Sequence, residues 1–201
     1  MVAGALTAGA LIVPALVWYY FSPEYTDVGY RPEQPVPFSH KLHAGELELD
    51  CRYCHAQVER AAVASVPPTQ VCMNCHSLVA RDSEQLALIR DSMSTGQPME
   101  WIRIHNVPDY AVFDHSVHIR GGVGCSSCHG DIREMEVVTL MEPLSMGWCL
   151  ECHREPTQHI RTADQITNTT WKPPKNQVEL ANQIIEERNL QPPEDCSACH
   201  R

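Results

Sequence analysis

All ten cysteines of this 201-residue chain fall into five pairs, each with two residues between its members and a histidine directly after the second. The blocks read Cys51-Arg52-Tyr53-Cys54-His55, Cys72-Met73-Asn74-Cys75-His76, Cys125-Ser126-Ser127-Cys128-His129, Cys149-Leu150-Glu151-Cys152-His153 and Cys196-Ser197-Ala198-Cys199-His200. C-x-x-C-H is the attachment signature of c-type haem: two thiols add to the porphyrin vinyl groups and the adjacent histidine ligates iron. Zinc ribbons and thioredoxin-like pairs also use C-x-x-C but do not need the histidine. With 11 histidines in the chain, five chance placements behind five pairs have a probability on the order of a few in ten million. The spacing therefore predicts five covalent haems c on these ten cysteines, with His55, His76, His129, His153 and His200 as proximal iron ligands.

Low-spin electron-transfer haem needs a second strong-field axial ligand, which excludes oxygen and substrate from the iron. Six further histidines are available: His40, His43, His105, His115, His118 and His159. Four of them lie in a repeat. Phe38-Ser39-His40-Lys41-Leu42-His43 precedes the first block, Phe113-Asp114-His115-Ser116-Val117-His118 precedes the third, and each is followed by two attachment blocks. Matching positions (His40 and His115, Cys51 and Cys125, Cys72 and Cys149) are offset by 75, 74 and 77 residues. Two histidines three apart on a helical turn point in nearby directions and can staple two haems together. His40 and His115 are expected to ligate the first and third haems, His43 and His118 haems of other blocks, and His105 one more. His159 is the weakest candidate, a lone surface histidine being the competing reading. Met146 and Met141 are alternative axial ligands, because a thioether can replace imidazole, although a core methionine is the commoner role. No catalytic residue is expected.

The elements that must position these groups are short. With 15 prolines and only 3 Phe, 4 Trp and 6 Tyr, the chain lacks the aromatic supply of a conventional core and the uninterrupted length for long elements. The expected fold is a multihaem cytochrome c: one N-terminal transmembrane helix plus a mostly irregular, short-helix domain packed around five haems. Without cofactor it is not expected to hold a compact fold. The expected segments are an anchor (1–21), a linker (22–35), a first two-haem unit (36–80), a connecting helix and loop (81–110), a second two-haem unit (111–155) and a C-terminal piece with the fifth haem (156–201). Supporting helices are expected over 81–91 and 178–189.

Twenty uncharged residues from Val2 to Phe21 end in Trp18-Tyr19-Tyr20-Phe21. That run is long enough to span a bilayer and closes in interface-type side chains. We read it as a retained anchor and not a cleaved signal, since it exceeds a usual signal core and no small-x-small cleavage site follows. Gly4 with Ala8 and Ala5 with Gly9 form small faces suited to helix packing, and Pro14 should interrupt the backbone ladder. Covalent haem attachment takes place on the far side of a bacterial inner membrane, so the haem domain is expected in the periplasm, with its thiols in thioether bonds despite the oxidising compartment.

Formal net charge is −10, and each bis-histidine haem with its two propionates adds about one negative unit when oxidised and about two when reduced. Such acidity argues against nucleic acid and suits a basic electron-transfer partner, while serving solubility as well.

The anchor, the Pro-Val-Pro-Phe-Ser-His-Lys-Leu-His-Ala run at 35–44, the five blocks and Leu-Ser-Met-Gly-Trp-Cys-Leu-Glu-Cys-His-Arg at 144–154 together resemble the pentahaem cytochrome subunit of alternative complex III. The F-S-H-x-x-H element alone is also similar to that of small periplasmic tetrahaem cytochromes. The resemblance covers nearly the whole chain. It implies a haem wire in a quinol:electron-acceptor oxidoreductase, respiratory or photosynthetic, beside other membrane and iron–sulfur subunits and upstream of a cytochrome or copper-protein acceptor. The rivals are a stand-alone membrane-anchored multihaem quinol dehydrogenase and a nitrite- or hydroxylamine-converting enzyme. Histidine supply to the early haems disfavours the first, and the absence of an unusual attachment block disfavours the second.

Overall fold

The structure is a computed structural model that describes residues 2–200; Met1 and Arg201, the outer ends of the first and last expected segments, lie outside the described residues. Helix α1 (Val2–Phe21) is followed by a single turn, α2 (Pro23–Thr26). Then come a π-helical turn (Lys41–Glu46), α3 (Cys51–Cys54), α4 (Thr69–His76) and α5 (Ala87–Thr95). The second half carries α6 (His115–Gly121), α7 (Ser126–His129), α8 (Met146–Arg154), α9 (Gln177–Arg188) and α10 (Cys196–Cys199), with 3₁₀ turns between. Among the described residues there is no strand, only isolated bridges of Ala111 with His200 and Val123 with Ile160.

Helix α1 stands apart from the rest: its Gly4–Phe21 stretch has a mean hydropathy of 1.5 and none of it is buried in the protein. By length and composition it can cross a membrane. Pro14 does not break it, although proline removes one backbone donor and leaves a carbonyl one turn earlier to find another partner. Tyr25 on α2 closes an aromatic group with Trp18 and Tyr19 at ring separations of 5.7 and 4.2 Å.

Among the described residues the buried apolar ones are few: Val36, Ala44, Ile89, Ile119, Leu140, Ile160, Ile166, Ala181 and Ile184, none aromatic. One cluster packs Ala181 and Ile184 of α9 on Ile160, with Leu180, Ile185 and Leu190 around them. Elsewhere the chain is held by backbone pairings between distant segments. Gly29 donates to Leu140 O at 2.8 Å, Leu140 donates back to Tyr30 O at 3.0 Å, and Lys41 N donates to Met135 O at 3.0 Å. A Cβ on Gly45 would collide with the Arg133 carbonyl, so the π-helical turn packs on the 3₁₀ turn Ile132–Glu134 through a backbone contact that only glycine permits.

Helix α9 falls within a residue of its expected bounds, but the connecting helix does not. It begins at Ala87 after a 3₁₀ turn (Glu84–Leu86) and runs to Thr95, where the sequence pattern placed it over 81–91. Ala80 adopts φ +50°, a left-handed backbone that a continuous α-helix through residue 81 does not accommodate. The Arg90 guanidinium donates to the Arg81 and Ser83 carbonyls at 2.9 and 2.8 Å, holding residues 81–83 as a loop. The left-handed Gly96 (φ +72°) stops the helix.

Candidate haem-binding site

Each attachment block sits at a helical turn, which puts its two cysteines, three apart, on one face. Capping side chains start several of these turns. Asp50 accepts from Arg52 N at 2.8 Å ahead of the first block, Ser145 from Trp148 N at 3.3 Å ahead of the fourth, and Asp195 from Ala198 N at 3.1 Å ahead of the fifth. None of the ten cysteines is in a disulfide.

Four of the five block histidines are oriented by one device. Their Nδ1 atoms meet backbone carbonyls: His55 with Ser65 O at 3.0 Å, His76 with Val79 O at 3.0 Å, His153 with Pro193 O at 2.6 Å and His200 with Tyr110 O at 3.1 Å. A carbonyl acceptor fixes the proton on Nδ1 and leaves the Nε2 lone pair for a metal. His43, His115 and His118 are held likewise, by Ser39 O, Ala62 O and Asp114 O, each at 2.8 Å.

The repeat seen in the sequence recurs as geometry. Phe38 lies 4.9 Å from the His40 ring and 4.4 Å from the His43 ring; Phe113 lies 4.8 Å from His115 and 4.5 Å from His118. The second histidine of each element then faces a block histidine: His43 and His76 have ring centres 6.1 Å apart, as do His118 and His153. Metal–nitrogen bonds of about 2 Å on either side of one ion put two imidazole centres about 6 Å apart. These pairs therefore fit an iron held from both faces. His115 and His129 fit as well, at 6.4 Å with ring planes 8° apart. His105 lies only 4.2 Å from His129, too close for an ion between those two rings.

The remaining candidates are placed as follows. His40 is buried with its Nδ1 unpartnered, as is Nε2 of His105. Burial, followed by the neighbouring His55 and His43, pushes His40 down to about 4. Burial, followed by His115, does the same to His105, also to about 4. His129 falls to about 3 through burial and then His105, His115, His55 and His40, so all three rings are neutral at neutral pH and keep a nitrogen lone pair free for a metal. His159 is shifted down by burial and by Arg161 and faces no other imidazole within ring contact among the described residues. Met146, at 66% exposure, begins α8; Met141 packs where a Cβ on Gly130 would stand, next to His129.

The blocks also touch one another. The Cys51 and Cys125 side chains are neighbours, and Tyr53 Oη accepts from Asn74 Nδ2 at 3.0 Å. Burial and then the neighbouring Cys72 push the Cys54 thiol up. Cys128 is pushed up to about 12 by burial and then by Cys152 and Cys149. Cys149 is raised by burial and then Cys199, and Arg154 pairs with Glu194 at 2.9 Å just ahead of the fifth block. Large apolar side chains (Tyr53, Val63, Val66, Leu78 and Val79) stand out beside the first two blocks. That is surface a large apolar group would cover. The chemistry of the donor set, cysteine pairs beside facing imidazoles, thus fits c-type haem.

Three features were not read from the sequence. The Nδ1 carbonyl acceptors leave no side-chain signal. The two phenylalanines were visible in the repeat, yet their stacking on the second histidine was not. The contact between the first and third blocks depends on how the units meet.

Comparison with known proteins agrees with this geometry. Residues 111–201 match the family of cytochrome c7 and related cytochrome c, and residues 22–100 match the class III cytochrome c family. The multihaem cytochrome c subunit of menaquinone reductase from Nitratidesulfovibrio vulgaris (strain Hildenborough) is 33% identical over 121 residues, 59% of this chain and 55% of that protein. The chain thus spans about half the length of that relative. Its domain is a multihaem c-type cytochrome of short helices and irregular segments, preceded by one apolar helix of membrane-spanning length.

Proposed function

We propose that this chain carries electrons through five covalently bound c-type haems, as the haem-wire subunit of a membrane complex that exchanges electrons with quinone. The observation that carries this reading is the duplicated pairing of His43 with His76 and His118 with His153, at 6.1 Å in both copies. Two imidazoles per iron close it to substrate and leave one-electron transfer as its chemistry. The ten block cysteines hold the cofactors, the five block histidines ligate one face, and His40, His43, His105, His115 and His118 supply the other. The carbonyls on Nδ1 fix the imidazole tautomers, and Phe38 and Phe113 lock the rings of His43 and His118. When bound, haem supplies the Fe(III)/Fe(II) couple.

The contacts between blocks set an order. The second block adjoins the first (Asn74 to Tyr53), the first the third (Cys51 to Cys125), the third the fourth (Cys128 beside Cys152), and the fourth the fifth (His153 to Pro193). Electrons then run along second, first, third, fourth and fifth haems, or the reverse, and partners dock at the second and fifth. Helix α1 anchors the chain in the inner membrane with the haem domain on the periplasmic side. Iron–sulfur and integral membrane subunits are its neighbours, and a cytochrome or copper protein is the soluble acceptor, as in a quinol-oxidising complex. A second reading reverses the direction: the relative just described is a subunit of a menaquinone reductase, so this chain would deliver electrons to quinone.

Purification in mild detergent should recover the full chain with at least one integral membrane subunit and one iron–sulfur subunit. A chain truncated before residue 23 should be a water-soluble haem protein that has lost them. Reduced quinone should reduce the haems of the complex in the first reading, and reduced haems should pass electrons to quinone in the second. If the full chain, purified free of partners, is itself rapidly reduced by quinol, it is a stand-alone dehydrogenase and the wire assignment fails.

A further inference from the structure

The foot of helix α1 is fastened to the middle of the haem domain and not to either end of the block series. Tyr25 on α2 folds back onto Trp18 and Tyr19, with ring centres 5.7 and 4.2 Å apart, so α2 lies at the depth where aromatic side chains meet lipid head groups. Glu24, beside Tyr25, stands three residues past Phe21, a reach of roughly 10 Å at most. Its side chain neighbours that of Glu142. Glu142 in turn lies beside Trp148, the residue before Cys149, and beside Cys128. The backbone repeats this connection, since Gly29 and Tyr30 pair with Leu140 through bonds of 2.8 and 3.0 Å. Met141 packs directly on Gly130, the residue after His129. Ser145 Oγ accepts from Trp148 N at 3.3 Å and opens α8, which carries the fourth block.

The end blocks are fastened elsewhere. The second, on α4, is tied to α5, with Thr69 Oγ1 2.7 Å from Ser92 Oγ. The fifth is held where Val112 N donates to Cys199 O at 2.7 Å and Ala111 bridges His200. Tyr25, Tyr30 and Met141 are exposed around the foot, leaving apolar surface continuous with the membrane span. Resting on the reading of the blocks as haem-attaching and on the block order given above, we propose that the third and fourth haems are the membrane-side port of the wire. The integral membrane subunit that handles quinone docks at the foot of α1 and exchanges electrons with this pair, leaving the second and fifth haems to partners outside the membrane. Quinol gives up two electrons and two protons. The electrons enter the port one at a time, each turning an Fe(III) to Fe(II) with no bond at iron made or broken, and the protons pass from the quinone to water. Delivery to quinone is the same step reversed.

The test is saturation-recovery EPR of the purified complex in bilayer nanodiscs containing a lipid with a nitroxide on its head group. A high-spin ferric haem speeds the relaxation of a nitroxide, steeply so as the two approach. His115→Ala, His118→Ala and His43→Ala should open the third, fourth and second irons, each variant keeping five haems and gaining one high-spin signal. Nitroxide relaxation should quicken in the first two and match the unmodified complex in His43→Ala. The greatest effect in His43→Ala, or equal effects in all three, would overturn the port. A photo-reactive p-benzoylphenylalanine in the otherwise unmodified complex tests it without reference to ligands. At Tyr30 it should cross-link to the integral membrane subunit, and at Leu78 or Ser197, beside the second and fifth blocks, it should not. Links from Leu78 or Ser197 to that subunit, or none from Tyr30 except to lipid, would overturn the port and leave the wire intact. Fewer than five haems in the unmodified complex would instead remove the reading on which it rests.

Discussion

Replacing His118 by alanine should convert one of the five haems from low-spin to high-spin while leaving all five attached. His118 is held on α6 by Phe113 at 4.5 Å and by the Asp114 carbonyl at 2.8 Å, with its ring 6.1 Å from that of His153. Three residues earlier, His115 is fastened to the Ala62 carbonyl at 2.8 Å and faces His129 at 6.4 Å. One short helix therefore staples the third and fourth blocks. Loss of the His118 imidazole leaves the fourth iron open on one face, so it should bind carbon monoxide, which the unmodified protein should not. Attachment is unaffected because Cys149, Cys152 and His153 remain. His43→Ala should open the second haem in the same way. His105→Ala should open one more, and His159→Ala none. A new high-spin haem in His159→Ala but not in His105→Ala would exchange those two roles; one in neither would turn the assignment to Met146 or Met141. Magnetic circular dichroism of the ferric proteins reads the high-spin and low-spin haem populations, and an unchanged spectrum in His118→Ala would sink the cross-block ligation.

The chain made without haem should not fold. Among the described residues its buried apolar side chains are nine and none is aromatic, whereas folding must offset roughly 1–2 kcal/mol of backbone entropy per ordered residue. His40, His105 and His129 are buried imidazoles, and in His40 and His105 one nitrogen has no partner, an arrangement that destabilises unless something binds there. Ligand binding is then folding free energy, and its loss should exceed the usual stability of a domain, about 5–15 kcal/mol. A truncated chain from residue 23 with its ten cysteines replaced should show disordered far-UV circular dichroism and no thermal transition. Helical ellipticity with a cooperative melt would show that the polypeptide carries its own core.

What the sequence made legible was local. The span of α1 and the bounds of α9 each rest on spacing within one helix, and the structure has both where the spacing put them to within a residue. The displaced connecting helix shows where local reading ended: Gly96 and the Arg90 contacts with the carbonyls at 81 and 83 decide its bounds, and an apolar period does not register them. The first histidine pair differs too, for it sits on a π-helical turn (Lys41–Glu46) beginning just after His40, whereas its counterpart opens the α-helical α6. Tertiary contacts lay beyond reach altogether. Nothing in the chain near Cys51 announces Cys125, and Arg161 reads as one more surface cation until Ser126, Ser127 and Trp171 close around it.

The central claim is that this one polypeptide holds five covalent haems, and it is tested most directly by counting them. Pyridine haemochrome absorbance, set against protein determined by amino-acid analysis after acid-acetone extraction has removed any non-covalent haem, should give five c-type haems per chain. Four or fewer would contradict the five-haem wire.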